Sequence, residues 1–229
     1  MKNIYFSILL IFLLNCIDSV KTPLGKLHVK IEYCKYTNNE NPFLGGFKLF
    51  KDKTEIQEIE LELNNQIIIP NLKPGKYYIE YKTLFNRIET IPLIITASEL
   101  EIAIICFDFM DYKTNKNVLL VDNLQIEKPI TIYFESNGCF HKAKNKMSIT
   151  KTKNNYIIKY NNIDYLITEN QFKLIKEFEI ELRSNHTNGC TTQEIYRIGG
   201  VDYEEYHFTD GSCNWHGFRN LIGKLNLTK

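Results

Sequence analysis

The sequence lacks three features that would each point to a function class: a long apolar run, a block of charge of one sign and closely spaced cysteines. Its 28 Lys and Arg residues and 27 Asp and Glu residues are spread along 229 positions, for a formal net charge of +1. Because no basic block is present, we expect no nucleic-acid partner. The six cysteines include no Cys-x-x-Cys pair, which argues against a zinc ribbon and against a thioredoxin-like site.

The first twenty residues have the layout of an export signal. Lys2 supplies a positive start, and Ile4–Leu14 is a mostly apolar run that is shorter than the about 20 residues needed to span a bilayer. The run ends in "LLNC", which resembles a bacterial lipoprotein signal in which Cys16 is lipidated. Asn15 departs from that pattern, which prefers a small residue there. The alternative is a plain signal peptide that is cleaved near Ser19.

The leader predicts where the protein resides and how its cysteines behave. We expect residues 1–20 to act as the signal peptide. The mature chain would lie in the periplasm or outer membrane of a Gram-negative bacterium as a lipoprotein, or be secreted. A lipid on Cys16 would make the membrane a partner through an N-terminal anchor. Paired cysteines become disulfides in such oxidising compartments, and lipidation of Cys16 would leave an odd number, five.

The residues from Leu27 to about Asp111 have the pattern of short β-strands. In "LHVKIEY", Leu27, Val29 and Ile31 alternate with polar residues, which is the period of a half-buried strand. Pro and Gly interrupt this half at intervals of roughly ten residues, and no helical stripe of useful length occurs in it. This half is therefore predicted to be an antiparallel β-sandwich.

The turn "NLKPGKY" carries the most recognisable motif of that half. Pro74 presets the first dihedral angle and Gly75 takes a positive φ, as a type II turn requires. Together with the Gly-rich entry "FLGGFKLF", this corner resembles the carboxypeptidase regulatory-like, or prealbumin-like, β-sandwich over about Lys26–Phe109. The sequences "NNQ" and "LFNR" depart from that pattern. The resemblance implies an accessory or stalk domain without catalysis. With a boundary near Gln125, we place it at residues 21–125.

Residues 126–229 mix the strand and helix periods and predict a small α+β domain. The order β-β-β-α-β-β-α indicates an antiparallel sheet with helices on one face, and makes the whole chain mainly β. The first helix begins with a capping box of Thr168 and Gln171. Its apolar face consists of Phe172, Ile175, Phe178 and Leu182. The domain resembles only unnamed α+β domains of secreted proteins of unknown function, and this architectural resemblance implies no activity.

The segment "FTDGSCNWHGFRNL" is predicted to start the last helix. Ser212 or Asn214 is expected as the N-cap, because either side chain can accept from a free backbone N–H. Trp215 is expected in the core with its indole N–H near the surface. His216 is expected to face outward without a chemical role.

The five cysteines after the leader are all disulfide candidates. The hairpin "TTQEIYRIGGVDYEEYHFTD" brings Cys190 near Cys213, which favours a bridge between them. Cys139 is the alternative partner for either, because its surroundings, "SNGCF", echo the "TNGCT" around Cys190. By strand alternation, Cys34 falls on a polar face together with Glu32, whereas Cys106 falls on an apolar face together with Ile102 and Ile104. This mismatch argues against a bridge across the sandwich core, and an intradomain disulfide between them stays open.

Cys, His and Asp cluster in two places, the Cys139–His141 loop and the Asp210–His216 loop. A thiol enzyme would use Cys139 or Cys213 as nucleophile with a histidine of either loop as base, but no third orienting residue is recognisable. A metal site would lack the spacing of an HExxH helix. The residues on which it would draw are His141, His207, His216, Cys213 and Asp210. We therefore predict no catalytic residue, no cofactor and no metal ligand.

These patterns predict an exported cell-envelope protein that is a non-enzymatic binding or structural module. Its ligand would be an unidentified protein or glycan, and the sandwich would be an accessory part. The alternative is a secreted hydrolase or thiol enzyme with its site between the Cys139–His141 and Asp210–His216 loops. Whether the chain is an enzyme stays open on the sequence alone.

Overall fold

The computed structural model describes residues 23–35, 44–61, 65–113, 119–184 and 191–227. The described chain is mainly β, as the sequence predicts. Its strands are β1 Gly25–Glu32, β2 Gly46–Lys51, β3 Thr54–Glu60, β4 Gln66–Leu72, β5 Gly75–Lys82, β6 Ile88–Ile95, β7 Leu100–Cys106, β8 Ile130–Asn137, β9 Lys142–Lys151, β10 Tyr156–Tyr160, β11 Ile163–Ile167, β12 Gln193–Gly200 and β13 Tyr203–Asp210. Its helices are a 3₁₀ turn at Val121–Asn123, α1 Glu169–Leu182 and α2 Gly217–Lys224.

The first seven strands form two sheets, with the orders β4–β1–β7 and β3–β2–β5–β6. Leu27, Val29 and Ile31 are all buried, as their alternation predicts. Every strand pair in these sheets is antiparallel except β1 and β7, which run parallel with Glu32 opposite Cys106. The prediction of a fully antiparallel sandwich was wrong in this one pair, because a period of two reports which face is buried and not the strand direction.

The "NLKPGKY" corner carries the chain from one sheet to the other, since β4 and β5 belong to different sheets. Tyr77 lies just after the corner, and its hydroxyl donates to the carbonyl oxygen of Lys73 at 2.7 Å. Gly75 has a φ of 150°, whereas the third residue of a type II turn has about +80°. The left-handed residue here is Asn71, with a φ of 61°. The predicted type II turn was therefore wrong: Gly75 is already the first residue of β5, and the left-handed conformation lies four residues earlier, at Asn71.

The second half contains a six-stranded antiparallel sheet with the order β11–β10–β9–β8–β12–β13. The element order is β-β-β-β-α-β-β-α, one strand more than the sequence predicts. The additional strand is β11, which follows β10 after the two-residue turn Asn161–Asn162. These asparagines have φ values of 50° and 61°, and two positive φ values in a two-residue loop are typical of a type I′ hairpin.

Both helices pack on the same face of this sheet. The capping box of α1 is confirmed, because the Thr168 side chain accepts from the Gln171 backbone and the Gln171 side chain accepts from the Thr168 backbone. The predicted apolar face of α1 is buried. Ring stacking joins Tyr156 to Phe172 at 3.9 Å between centroids, and Phe134 to Phe218 at 4.9 Å. The helices therefore close the core above the sheet.

The last helix begins at Gly217, later than the sequence predicts. Ser212 and Asn214 are not its N-cap; they belong to a preceding turn, in which Asp210 Oδ1 accepts from the Ser212 backbone N–H at 2.9 Å. The N-cap residue is His216, which has a left-handed φ of 48°. Its Nε2 atom is buried, so the prediction that His216 faces outward was wrong. The helical phase that predicts an outward side chain does not apply to His216, because this residue precedes the helix in a left-handed conformation.

None of the described helices is long and apolar enough to cross a membrane. The predicted signal peptide, residues 1–20, lies outside the described residues.

Candidate functional site

One disulfide joins Cys34 to Cys106, with 5.3 Å between their Cα atoms. The parallel strands β1 and β7 end at the same edge of their sheet, and Cys34 lies two residues beyond Glu32, the residue opposite Cys106. The expectation that the two cysteines face apart was wrong, because Cys34 lies past the end of β1, where strand alternation no longer applies. Asp108 holds the same turn by accepting backbone N–H groups of Cys34 and Lys35 at 2.7 and 2.8 Å.

The structure tests the predictions for only some of the remaining cysteines. Cys213 is disulfide-bonded to a partner outside the described residues. Cys190 and Cys16 both lie outside them too, so the Cys190–Cys213 bridge and the lipidation of Cys16 stay predictions. Cys139 is free and exposed, so the alternative in which it pairs with Cys190 or Cys213 was wrong.

A row of buried polar residues crosses three strands at one end of the six-stranded sheet. Ser136 on β8, Glu194 on β12 and Asp210 on β13 are direct neighbours in the strand register. Their exposed fractions are 5%, 9% and 3%. His141 Nε2 lies 2.9 Å from the Ser136 hydroxyl, which ties the Cys139–His141 loop to the row. The sheet therefore connects the two loops in which the sequence concentrates Cys, His and Asp.

Ser136 and Glu194 are site residues that the sequence analysis missed. The signal was present: Ser136 continues the inward alternation of Ile130, Ile132 and Phe134, and Glu194 precedes the inward Tyr196 by two residues. A polar residue at the end of an inward-facing apolar alternation is a candidate for a buried polar site.

The electrostatics of the row centre on Glu194. Burial raises the pKa of this carboxyl, and the adjacent Asp210 raises it further, while a hydrogen bond from the Tyr196 hydroxyl at 2.5 Å opposes the shift. The charges of His216 and Arg219 also lower the pKa. A carboxyl group with a raised pKa retains its proton at milder pH, as general acids and pH-sensitive structural groups do.

The row fits the proposed thiol chemistry poorly. Cys213 is held in a disulfide and is therefore not a free nucleophile. The hydrogen bond of His141 Nε2 is with Ser136, not with Cys139. Among the described residues, no group of three His, Cys, Asp or Glu side chains is arranged to hold a metal ion. His207, one of the candidate metal ligands, instead contacts Glu205 at 2.9 Å on the other face of the sheet.

A second buried network joins the sandwich to α1 and to the last helix. The carboxylate of Glu181, itself 3% exposed, accepts from Lys35 at 2.8 Å, from the Trp215 indole N–H at 3.1 Å and from the Tyr112 hydroxyl. Lys35 also pairs with Glu177 at 2.9 Å. Burial, and then the charge of Glu181, raise the pKa of Tyr112 strongly. Trp215 is fully buried, as predicted, but its N–H points into this network rather than to the surface.

The face of the six-stranded sheet turned away from the helices is open. A groove of about 610 Å³ runs over it. The lining residues are Tyr133, Lys144, Asn145, Lys146, Ser148, Lys159, Asn161 and Asn162. The guanidinium of Arg197, on the neighbouring strand, lies 4.8 Å from the centre of the Tyr133 ring. The groove thus combines cations, amides, a hydroxyl group and one aromatic ring on a rigid sheet.

A depression of similar volume, about 630 Å³, lies on the sandwich and is lined by residues of β5, β6 and β7. Its charged lining residues, Lys76 and Glu101, have opposite signs, and the remainder are mostly apolar or aromatic. It therefore has no chemical signature as definite as that of the groove.

Comparison with known proteins does not assign the chain to a family. No protein-family model matches the chain, and no curated protein matches it either.

Proposed function

We propose that this chain is an exported, non-enzymatic binding module of the cell envelope. The β-sandwich serves as the accessory or spacer part, and the six-stranded sheet presents the binding face. The single observation that supports this proposal most is the open groove over that sheet, in which Tyr133, Lys146 and Lys159 are presented by regular strands. Sites on strands hold their side chains more firmly than sites on loops do.

Export is supported by the leader and by the disulfide chemistry. The sequence "LLNC" favours lipidation of Cys16, and a lipid there would place the protein at a bacterial membrane. The Cys34–Cys106 disulfide fits an oxidising compartment such as the periplasm or cell surface.

The spacer role is supported by the architecture of the sandwich. Two packed sheets with a Tyr77-anchored crossover corner are consistent with the resemblance to the carboxypeptidase regulatory-like or prealbumin-like fold. Domains of that kind are accessory or stalk parts. The buried Glu181 network then couples the spacer to the binding half.

Fractionation of a bacterial host that expresses the full chain tests the proposal. We expect the wild-type protein in the membrane fraction with incorporated radiolabelled palmitate, and Cys16→Ser without label. A Ser19→Ala variant should retain the label and serves as the matched control. Export of unlabelled wild-type protein would favour the plain signal peptide, whereas retention in the cytoplasm would contradict the proposal.

A secreted hydrolase is the second candidate, and the Ser136–His141 contact favours it. A serine hydroxyl within hydrogen-bond distance of a histidine is the core of an activated nucleophile, and the carboxyl of Glu194 is the neighbour of Ser136. Covalent labelling with a fluorophosphonate distinguishes the two functions. An enzyme of this type should be labelled at Ser136 and should lose the label in Ser136→Ala and His141→Ala. The binding-module proposal expects no labelling of the wild-type protein.

A further inference from the structure

The groove exists because neighbouring strands of the sheet differ in length. Strand β10 ends at Tyr160, opposite Met147, whereas β9 extends a further five residues to Lys142. The turn Asn161–Asn162 therefore stands beside a stretch of β9 that has no neighbour on that side. Lys144 and Lys146 border the resulting step, and a linear ligand could lie along it.

The charge of the groove is unbalanced. Three of its eight lining residues are lysines and none is acidic. Glu135 pairs with Lys144 at 2.9 Å and with Lys142 at 3.5 Å. Within the described part of the chain, neither Lys146 nor Lys159 has an acidic group within 4 Å of its ammonium, although Asp164 is the cross-strand neighbour of Lys159. Two cations on a rigid sheet thus remain available to an anionic ligand.

We propose that this groove binds an acidic polysaccharide, whose carboxylate or sulfate groups pair with Lys146 and Lys159. The inference rests on the proposed function and names the ligand class of the same face. Both lysines are on strands of one sheet, and Ser148 lies between them in register with Lys159. Successive acidic groups of one chain can therefore contact both cations, and charge-assisted hydrogen bonds of this kind are about twice as strong as neutral ones.

The other lining groups favour a polysaccharide over a lipid surface or a nucleic acid. The amides of Asn161 and Asn162 both donate and accept, as sugar hydroxyl groups require. No aliphatic side chain lines the groove, so nothing there is suited to insert into a bilayer. The Tyr133 ring already has the Arg197 guanidinium near it, which makes it a poor platform for a stacked base.

Equilibrium binding of the purified full-length protein tests the proposal. The probes are a sulfated heparin hexasaccharide, a polygalacturonate hexamer, neutral maltohexaose, phosphatidylglycerol vesicles and an oligo-dT strand. We expect affinity for at least one acidic saccharide that falls with added salt, because exposed charges are screened. The double variant Lys146→Gln/Lys159→Gln should weaken this binding by about tenfold or more, since two charged hydrogen-bond donors are lost.

The matched control is Lys26→Gln/Lys82→Gln, which makes the same change in charge at exposed positions of the sandwich. It should bind as the wild type does. Equal effects of the two double variants, or tighter binding of the vesicles or of the oligonucleotide, would overturn the proposal. Binding of maltohexaose alone, or of none of the probes, would overturn the acidic ligand class. The fractionation result would still stand on its own, because it does not depend on which ligand is bound.

Discussion

His216 has a backbone conformation that few residues other than glycine adopt readily. Its φ of 48° lies in the left-handed region, and its Nε2 atom is buried beside the start of α2. We predict that His216→Ala destabilises the protein by roughly 1 kcal/mol, because the side-chain packing is lost while the backbone cost remains. His216→Gly should be less destabilising than His216→Ala, because glycine relieves that cost.

Urea denaturation monitored by circular dichroism measures both changes. The exposed His207 provides the control, and His207→Ala should change the free energy of unfolding by no more than about 0.5 kcal/mol. Equal stabilities of the Ala and Gly variants at position 216 would show that its backbone conformation carries no cost.

The raised pKa of Glu194 predicts that the stability of the protein depends on pH. Burial, followed by the charge of Asp210, raises its pKa above the ordinary 4.5, so the folded state binds this proton more tightly than the unfolded state does. The unfolded state therefore loses the proton first as pH rises above 4.5, and this group's contribution to the free energy of unfolding falls from that pH upward. Glu194→Gln cannot lose a proton, so its stability relative to the wild type should increase as the pH is raised from 4 towards neutrality.

The difference between variant and wild type isolates Glu194 from all other carboxyl groups. Thermal or urea unfolding at a series of pH values measures it, with the exposed Glu58 replaced by Gln as the control. A constant difference across that range would mean that the pKa of Glu194 is not raised in the folded state.

At the scale of elements, the Cys34–Cys106 bridge closes a long loop. It links the ends of β1 and β7 across a sequence separation of 72 residues, and five other strands lie between them in the chain. We predict that the Cys34→Ser/Cys106→Ser variant loses roughly 2–4 kcal/mol of stability, because the unfolded chain regains the entropy that the crosslink removes. Chemical denaturation under non-reducing conditions measures the loss. Cys139→Ser, which changes a free exposed thiol, should leave stability unchanged, and a similar loss in both variants would contradict the prediction.

The elements differ in how far the sequence predicts them. Helix α1 is predicted from its capping box to its apolar face, because helical period and cap chemistry are local properties. The strand β11 was missed, although Ile163, Tyr165 and Ile167 alternate, because the preceding Asn161–Asn162 turn was not recognised as a hairpin loop.

Pairings between distant segments could not be predicted from local patterns. The parallel contact of β1 with β7, and hence the Cys34–Cys106 bridge, depends on which strands become neighbours in the sheet, and a period of two carries no such information. The groove could not be predicted from local patterns either, because it depends on the difference in length between the paired strands β9 and β10. The buried polar row could have been predicted from the sequence, because Ser136 and Glu194 occupy inward positions of their strands.

At the scale of the whole molecule, α1 connects the two halves through its acidic residues. The fully buried Glu179 accepts the backbone N–H groups of Leu120 and Val121 at 2.7 and 3.1 Å, and so fixes the segment between the halves. Glu181 holds Lys35 at the end of the sandwich and Trp215 before the last helix. Buried residues of both halves also belong to one continuous hydrophobic cluster.

This coupling predicts that the intact protein unfolds in one step. Trp215 is the single tryptophan and reports on the second half, while far-UV circular dichroism reports on all strands. The two urea transitions should coincide in the wild type, as for a two-state protein. Glu181→Ala removes the shared acceptor of Lys35 and Trp215, so it should cost about 3 kcal/mol and shift the two transitions apart. Glu169→Ala, at the exposed start of the same helix, should cost less than about 1 kcal/mol and keep them together. Separate transitions in the wild type would show that the sandwich and the second half fold independently despite the Glu181 network.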